Sequence, residues 1–207
     1  MEILRLSETG FEKAAAKAAE VLKKGGIVLY PTDTLYGLGV DATNEKAILA
    51  LKELKGREKK KPISIIVSSV EDIPIYAHMN EIAKSLAAHF FPGALTLVMP
   101  GTENISKELM LNDAIGVRIP ADPFCAALAQ TFGKPFTTTS ANKSGRETPR
   151  TVQEVLQQFG NHAHDIALAI DAGPKDGAKP STVVLCVSET AHILREGAIL
   201  REVLQIP

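Results

Sequence analysis

The sequence contains no tryptophan, and aromatic residues make up only 5% of it. The core must therefore be built mostly from alanine, valine, isoleucine and leucine. A surface that grips RNA by stacking bases on interleaved aromatic rings is not indicated. Charge of one sign is missing too: the 23 lysines and arginines and the 24 aspartates and glutamates leave a formal net charge of −1. That argues against bulk capture of a polyanion and leaves room for a local basic patch. The two cysteines, Cys125 and Cys186, lie far apart in apolar runs without metal-ligand spacing, which reads as two reduced, buried thiols of a cytoplasmic protein. The N-terminal Met1-Glu2-Ile3-Leu4-Arg5-Leu6 lacks the basic start and apolar stretch of a signal peptide. No apolar run approaches the ~20 residues needed to cross a bilayer, so no membrane partner is expected. Also absent are a Walker A phosphate loop, a dinucleotide-binding glycine fingerprint, a Gly-x-Ser-x-Gly elbow and a zinc-protease helix. Of the five histidines only His162 and His164 are close, in a stretch that reads as surface loop, so no protein-bound metal is expected.

What is present suits one α/β domain over 1–207, with 45% hydrophobic residues. Thr9-Gly10-Phe11-Glu12 has the pattern of a capping box ahead of a helix carrying Ala15, Ala18, Ala19 and Leu22 on one face, which Gly25-Gly26 stops. Ile27-Val28-Leu29-Tyr30 is a short apolar run, expected as a strand buried on both faces. A polar, glycine-punctuated loop is expected over 32–39. The spacing predicts helices over 44–54, 81–90 and 152–159, and another opened by Asp122-Pro123. Strands are expected over 63–67, 95–99, 115–119, 136–139, 166–170 and 182–187. This interleaving predicts a mixed or largely parallel sheet. The glycine- and proline-rich stretch 171–180 reads as a loop between two strands.

Polar residues gather where these strands run into loops, the usual place for a site in α/β proteins. Tyr30-Pro31-Thr32-Asp33-Thr34-Leu35-Tyr36-Gly37-Leu38-Gly39 packs hydroxyls and one carboxylate into a few positions, as a capped turn or as part of a site. Lys55-Gly56-Arg57-Glu58-Lys59-Lys60-Lys61-Pro62 is either a solvated basic loop or a phosphate grip. Gly56 sets a point charge and a planar guanidinium on either side of a turn, a pairing suited to polyphosphate. Arg118 ends an apolar strand, where it is either paired or aimed at an anion. Thr137-Thr138-Thr139-Ser140-Ala141-Asn142 offers hydroxyls and an amide that could cap a segment or bind a nucleotide. Ser181-Thr182 and Leu194-Arg195-Glu196-Gly197 complete the series.

In this order the pieces GGIVLYPTDTLYGLG (25–39), LKGREKKKP (54–62), FPGALTLVM (91–99), IGVRIPADP (115–123), TTTSANKSG (137–145), PSTVV (180–184) and ILREG (193–197) resemble the YrdC/Sua5 family of threonylcarbamoyl-AMP synthases. The Lys-x-Arg and Ser-x-Asn elements, here Lys55/Arg57 and Ser140/Asn142, are that family's signatures. The resemblance implies a YrdC-like twisted open mixed sheet with helices around a large basic cavity. It implies synthesis of L-threonylcarbamoyl-AMP from L-threonine, bicarbonate and ATP with release of pyrophosphate. This is the first step of forming t6A at position 37 of tRNAs that read ANN codons, and a downstream threonylcarbamoyl transferase completes it.

On the same resemblance Lys55 and Arg57 would be catalytic. Lys55, Arg57 and Lys61 would neutralise the ATP phosphates together with Mg2+, and Ser140, Asn142 and Arg195 would hold the nucleotide. Thr34, Arg118, Thr138 and Ser181 would bind threonine. The chain departs from many archaeal relatives at Ile66, where they carry His, at Lys61, where they carry Asn, and at Arg150, where Thr is common. It departs also at Ala172-Gly173, where a glycine pair is usual, and at Leu185, where Asp is frequent. The C-terminal domain of longer Sua5 proteins is not expected. Weak tRNA binding is a further partner expectation for such a synthase. Two other readings stay open: a non-catalytic module that holds tRNA or structured RNA on a basic concave surface, and a carbamoyl-adenylate enzyme of the same fold.

Overall fold

The computed structural model describes residues 1–58 and 61–204. Ten strands form one sheet: β1 (Glu2–Arg5), β2 (Ile27–Tyr30), β3 (Gly37–Gly39), β4 (Ser64–Ile66), β5 (Leu95–Pro100), β6 (Ala114–Arg118), β7 (Phe136–Ser140), β8 (Ile166–Asp171), β9 (Thr182–Leu185) and β10 (His192–Arg195). Their order across the sheet is β1-β8-β2-β3-β7-β4-β6-β5-β9-β10. Pairing is parallel between β1 and β8, β8 and β2, β4 and β6, and β5 and β9, and antiparallel elsewhere, so the sheet is mixed.

The apolar run Ile27–Tyr30 is a strand buried at every position, and its two faces feed different cores. Val28 and Tyr30 pack with Leu168, Ile170 and Phe136 under the helices Phe11–Lys23 and Pro123–Phe132. These helices meet through Ala14, Ala15, Ala18 and Ala19 against Cys125, Leu128 and Ala129, small side chains that let the backbones approach closely. Ile27 and Leu29 face the larger core, covered by the helices Glu45–Leu54, Glu81–Phe90 and Val152–Phe159. Asn44, Asn80 and Asp122 cap their helices as polar side chains at such starts do.

Two local expectations fail. Thr9 caps nothing: it ends a short helix, Leu6–Thr9, and Gly10 at φ +78 starts the next helix without a side-chain cap. The capping box of this chain is instead Thr151 with Glu154. The expected loop over 32–39 contains strand β3, whose glycines serve packing. A Cβ on Gly39 would lie 2.6 Å from the Thr137 carbonyl oxygen and 2.8 Å from the Tyr30 ring. Strands β1 and β10 are additions, both exposed and at the two sheet edges.

The pleat positions the site. Along β5 the residues Leu95, Leu97 and Met99 enter the core, and along β6 so do Ile115 and Val117. The alternating set, Thr96 and Val98 on β5, Gly116 and Arg118 on β6, and Val183 and Leu185 on β9, lines a cavity on the other face. The segment 172–181 joins β8, second in the sheet, to β9, ninth, and delivers Pro180 and Ser181 to that cavity.

Candidate active site

The cavity has a volume of about 670 Å³. It gathers seven of the ten candidates from six separate stretches: Thr34, Arg57, Arg118, Thr138, Ser140, Ser181 and Arg195. Three guanidinium groups thus face one space, and Asp113 is the one acidic residue on its lining among the described residues.

Arg118 is 5% exposed. Its Nη2 donates to Asp33 Oδ1 at 2.5 Å, Nη1 to Thr34 Oγ1 at 2.9 Å and Nε to the Gly93 carbonyl at 3.3 Å. An arginine carries five N–H donors, so one remains on each terminal nitrogen, the fork that a carboxylate matches. The hydroxyl directions follow from this. Thr32 Oγ1 spends its proton on the Leu35 carbonyl at 2.7 Å, so across the 2.9 Å Thr32–Thr34 contact Thr34 must donate. Thr34 Oγ1 therefore accepts from Arg118, and the loop after β2 is locked to the end of β6.

Arg195 donates twice to the Ser181 carbonyl, from Nε at 3.2 Å and Nη2 at 2.8 Å, and Nη2 also reaches Ser181 Oγ at 3.2 Å. Ser181 Oγ in turn meets Thr96 Oγ1 at 3.0 Å. Burial and then the neighbouring Arg118 guanidinium lower the pKa of Arg195, as expected of two cations sharing a cavity. Arg57 donates from Nη2 to the Pro62 carbonyl at 2.6 Å, while its buried Nε has no partner among the described residues. An orphaned donor on the wall of a cavity is a place where a ligand acceptor recovers the lost hydrogen bond.

Three candidates lie off this lining. Lys55 is 1% exposed and turns inward. Its Nζ donates to the Ser140 carbonyl, to the Asn142 carbonyl at 2.6 Å and to Asn142 Oδ1 at 3.4 Å. Asn142 is used up within the loop: Oδ1 accepts from Ser140 Oγ at 2.5 Å, and Nδ2 donates to the Arg146 carbonyl at 2.5 Å. The two signatures thus meet each other, Lys55 holding the loop from which Ser140 faces the cavity. Lys61 pairs with Glu58 at 3.1 Å on the exposed surface. Lys59 and Lys60 lie outside the described residues. A separate cavity of about 880 Å³ lies by Gly25, Lys55, Lys143, Arg146 and His162, and takes none of the threonine-side candidates.

Burial, and then the Arg57 charge, push the Lys55 ammonium down from 10.5 to about 7, against the pull of its oxygen acceptors. The unfolded chain therefore holds more protons than the folded one between pH 7 and pH 10.5, and this lysine makes stability rise with pH over that window. Below pH 7 its cost is fully present. Comparing unfolding free energies of the parent protein and Lys55→Met from pH 6 to 10.5 should show the parent gaining on the variant as pH rises. A constant difference would remove Lys55 from this role.

A family model, Sua5_yciO_yrdC, described as "Telomere recombination", matches residues 20–197. The chain belongs to the Sua5/YciO/YrdC family. Among its relatives, the threonylcarbamoyl-AMP synthase of Bos taurus is 37% identical over 199 residues, 92% of this chain and 70% of that one. A Methanocaldococcus jannaschii protein provisionally given the same name is 37% identical over 202 residues, 96% of this chain and 94% of that one. The crystal structure of P. abyssi Sua5 complexed with L-threonine superposes with a TM-score of 0.89 at 32% identity, covering 97% of this chain. This chain spans 58% of that Sua5 structure.

Several lining residues of this Sua5/YciO/YrdC chain were not singled out from its sequence: Ser64, Thr96, Asp113 and Gly116. A signal existed for two of them. Thr96 in Leu95-Thr96-Leu97 and Ser64 in Ile63-Ser64-Ile65 are hydroxyls inside apolar strands, where period two exposes one face to something other than core. Gly116 had none: a Cβ there would meet Ser64 Oγ at 2.3 Å, a constraint set by a neighbouring strand. Among the described residues no helix is long and apolar enough to cross a membrane.

Proposed function

We propose that this chain is a threonylcarbamoyl-AMP synthase, converting L-threonine, bicarbonate and ATP to L-threonylcarbamoyl-AMP and pyrophosphate. The observation that carries the reading is the cavity itself, where a carboxylate-type fork on Arg118 and two further guanidiniums, Arg57 and Arg195, share one space. Family membership and the names of the relatives support the same reading.

The chemistry asks for positioning and charge neutralisation and needs no enzyme nucleophile. The threonine amine attacks the bicarbonate carbon, an N–C bond forms, water leaves and a carbamate results. A carbamate oxygen then attacks the α-phosphorus of ATP, an O–P bond forms, and the bond to the β-phosphate bridge breaks to release pyrophosphate. Arg118 holds the threonine carboxylate through its two remaining N–H groups, with Thr34, Thr138 and Ser181 at its sides. Arg57 and Arg195 bind phosphate oxygens as charge shifts towards pyrophosphate. Lys55 and Asn142 keep Ser140 on the nucleotide side, and Lys61 supplies positive charge at the entrance.

Mg2+ carried in with ATP would supply further neutralisation of the leaving pyrophosphate beside Arg57 and Arg195, without a protein ligand set of its own. That mode of binding fits a site in which no three metal-binding side chains cluster among the described residues. The product is a reactive mixed anhydride, which a separate threonylcarbamoyl transferase must accept for tRNA modification. The protein itself works in the cytoplasm with weak tRNA contact.

Pyrophosphate release tests this. With Mg-ATP it should require both threonine and bicarbonate. Release supported by carbamoyl phosphate in their place would assign a carbamoyl-adenylate enzyme. Salt-sensitive RNA binding without any release would assign a binding module.

A further inference from the structure

The 172–181 segment runs from one side of the sheet to the other and ends in the substrate cavity. Its far end is fastened at several points. The Pro180 carbonyl accepts from the Ala198 amide at 2.8 Å, the Ser181 carbonyl accepts from Arg195, and Ser181 Oγ meets Thr96. Midway, Lys175 and Arg150 are joined by the Lys175 amide on the Arg150 carbonyl at 3.0 Å and by Arg150 Nη1 on the Lys175 carbonyl at 3.2 Å. Its near end rests on one side chain from another strand. Tyr36 is 0% exposed, and its ring lines the cavity just before β3. Its hydroxyl donates to the Gly173 carbonyl at 2.7 Å and accepts from the Ala172 amide at 2.9 Å. Asp171 Oδ1 takes the Gly173 amide at 2.9 Å and lies 3.3 Å from the same hydroxyl.

We infer that Tyr36 is a positioning residue: through Ala172 and Gly173 it sets the placement of the crossing segment, and thereby of Ser181 and the Arg195 guanidinium against the substrates. The two hydroxyl bonds are the shortest side-chain link between the cavity wall and the start of the segment. Immediately beyond them Gly173, at φ +80, turns the chain, and the Tyr36 hydroxyl, the Arg150–Lys175 bonds and the Pro180–Ala198 bond are successive fixed points on the path to Ser181. Burial, with the Asp171 carboxylate beside it, pushes the Tyr36 hydroxyl up to about 12. It therefore remains a donor throughout the neutral range.

This inference rests on the proposed synthase reading for its kinetic arm but not for its structural one. Tyr36→Phe removes the hydroxyl and keeps the ring. The expected result is a KM for threonine raised about ten-fold, with kcat within about three-fold and the melting temperature lowered by only a few degrees, since the ring stays packed and one hydroxyl is lost. Amide exchange over 172–179 should accelerate in Tyr36→Phe, a readout independent of any activity. Gly173→Ala, which strains the bend at the residue whose carbonyl takes the Tyr36 hydroxyl and leaves the tyrosine itself in place, should reproduce both effects, and serves if Tyr36→Phe fails to fold. Unchanged exchange, or a fall in kcat with an unchanged KM, overturns the inference. Accelerated exchange in Tyr36→Phe, beside a parent protein that forms no product, would uphold the tether on the segment and remove the synthase reading alone.

Discussion

Arg118→Ala is expected to weaken threonine binding about 100-fold, a loss of ~2.7 kcal/mol. It is also expected to destabilise the fold by about 3 kcal/mol, because it leaves Asp33 without its cation. The Asp33 side chain is 14% exposed and the Arg118 side chain 6%, so water replaces the lost pair only in part. Thr34 also loses the donor that fixes its hydroxyl. The two consequences are separable. Adding Asp33→Asn to Arg118→Ala removes the stranded charge and should restore most of the stability while leaving threonine binding lost. Calorimetric titration with threonine and denaturant unfolding of both variants check this. Restored binding in the double variant would show that Arg118 serves the fold and does not touch the substrate.

Arg57→Ala should lower kcat/KM for ATP about 1,000-fold, the scale on which removal of one charge-stabilising donor acts. Stability should barely move, since Arg57 gives up one bond to the Pro62 carbonyl and an orphaned Nε. Lys55→Ala should also abolish turnover but by another route and with a loss of stability. It strands the Ser140 and Asn142 carbonyls and frees the loop they shape. Such results would split the pair of neighbouring signature residues into one that meets the nucleotide and one that holds the wall. Initial-rate kinetics over ATP concentration, with melting curves on the same samples, separate them. Near-normal turnover in both single variants contradicts the account.

Much of this arrangement was legible in the sequence, and the boundary of legibility has physical reasons. The helices over 81–90 and 152–159 and the strand Ile27–Tyr30 follow from local periodicity and breakers, and the structure has them at those positions. Strand β3 was not legible, because Gly37-Leu38-Gly39 carries every mark of a turn. It is a strand because it pairs with β2 and β7, and it needs glycine there because the Tyr30 ring and the Thr137 backbone occupy the space that side chains would take. Thr9 misled for the opposite reason: its capping pattern is sound, yet Gly10 breaks the chain direction between two helices.

In the site, Thr34, Arg118, Ser181 and Arg195 were found from strand ends and from the order of the motifs, and they line one cavity. The meeting of Lys55 with Asn142 could not be read, since it joins positions 87 residues apart and depends on which way a buried ammonium turns. The sequence offered Lys55 as a cation beside Arg57, and spacing alone makes the two look equivalent. Burial separates them. Tyr36 received no role of its own because its stretch reads as a polar loop with several hydroxyls, and only the path of the 172–181 segment gives this one work to do.

The central claim is that bicarbonate carbon, threonine and the α-phosphate of ATP end in one molecule made in this cavity. Carbon-labelled bicarbonate and α-phosphorus-labelled ATP, supplied together with threonine and Mg2+, test it directly. The account predicts one threonine-dependent product carrying both labels in equal amount, with one pyrophosphate released for each. Pyrophosphate released without threonine, or a nucleotide product lacking the bicarbonate carbon, would contradict it.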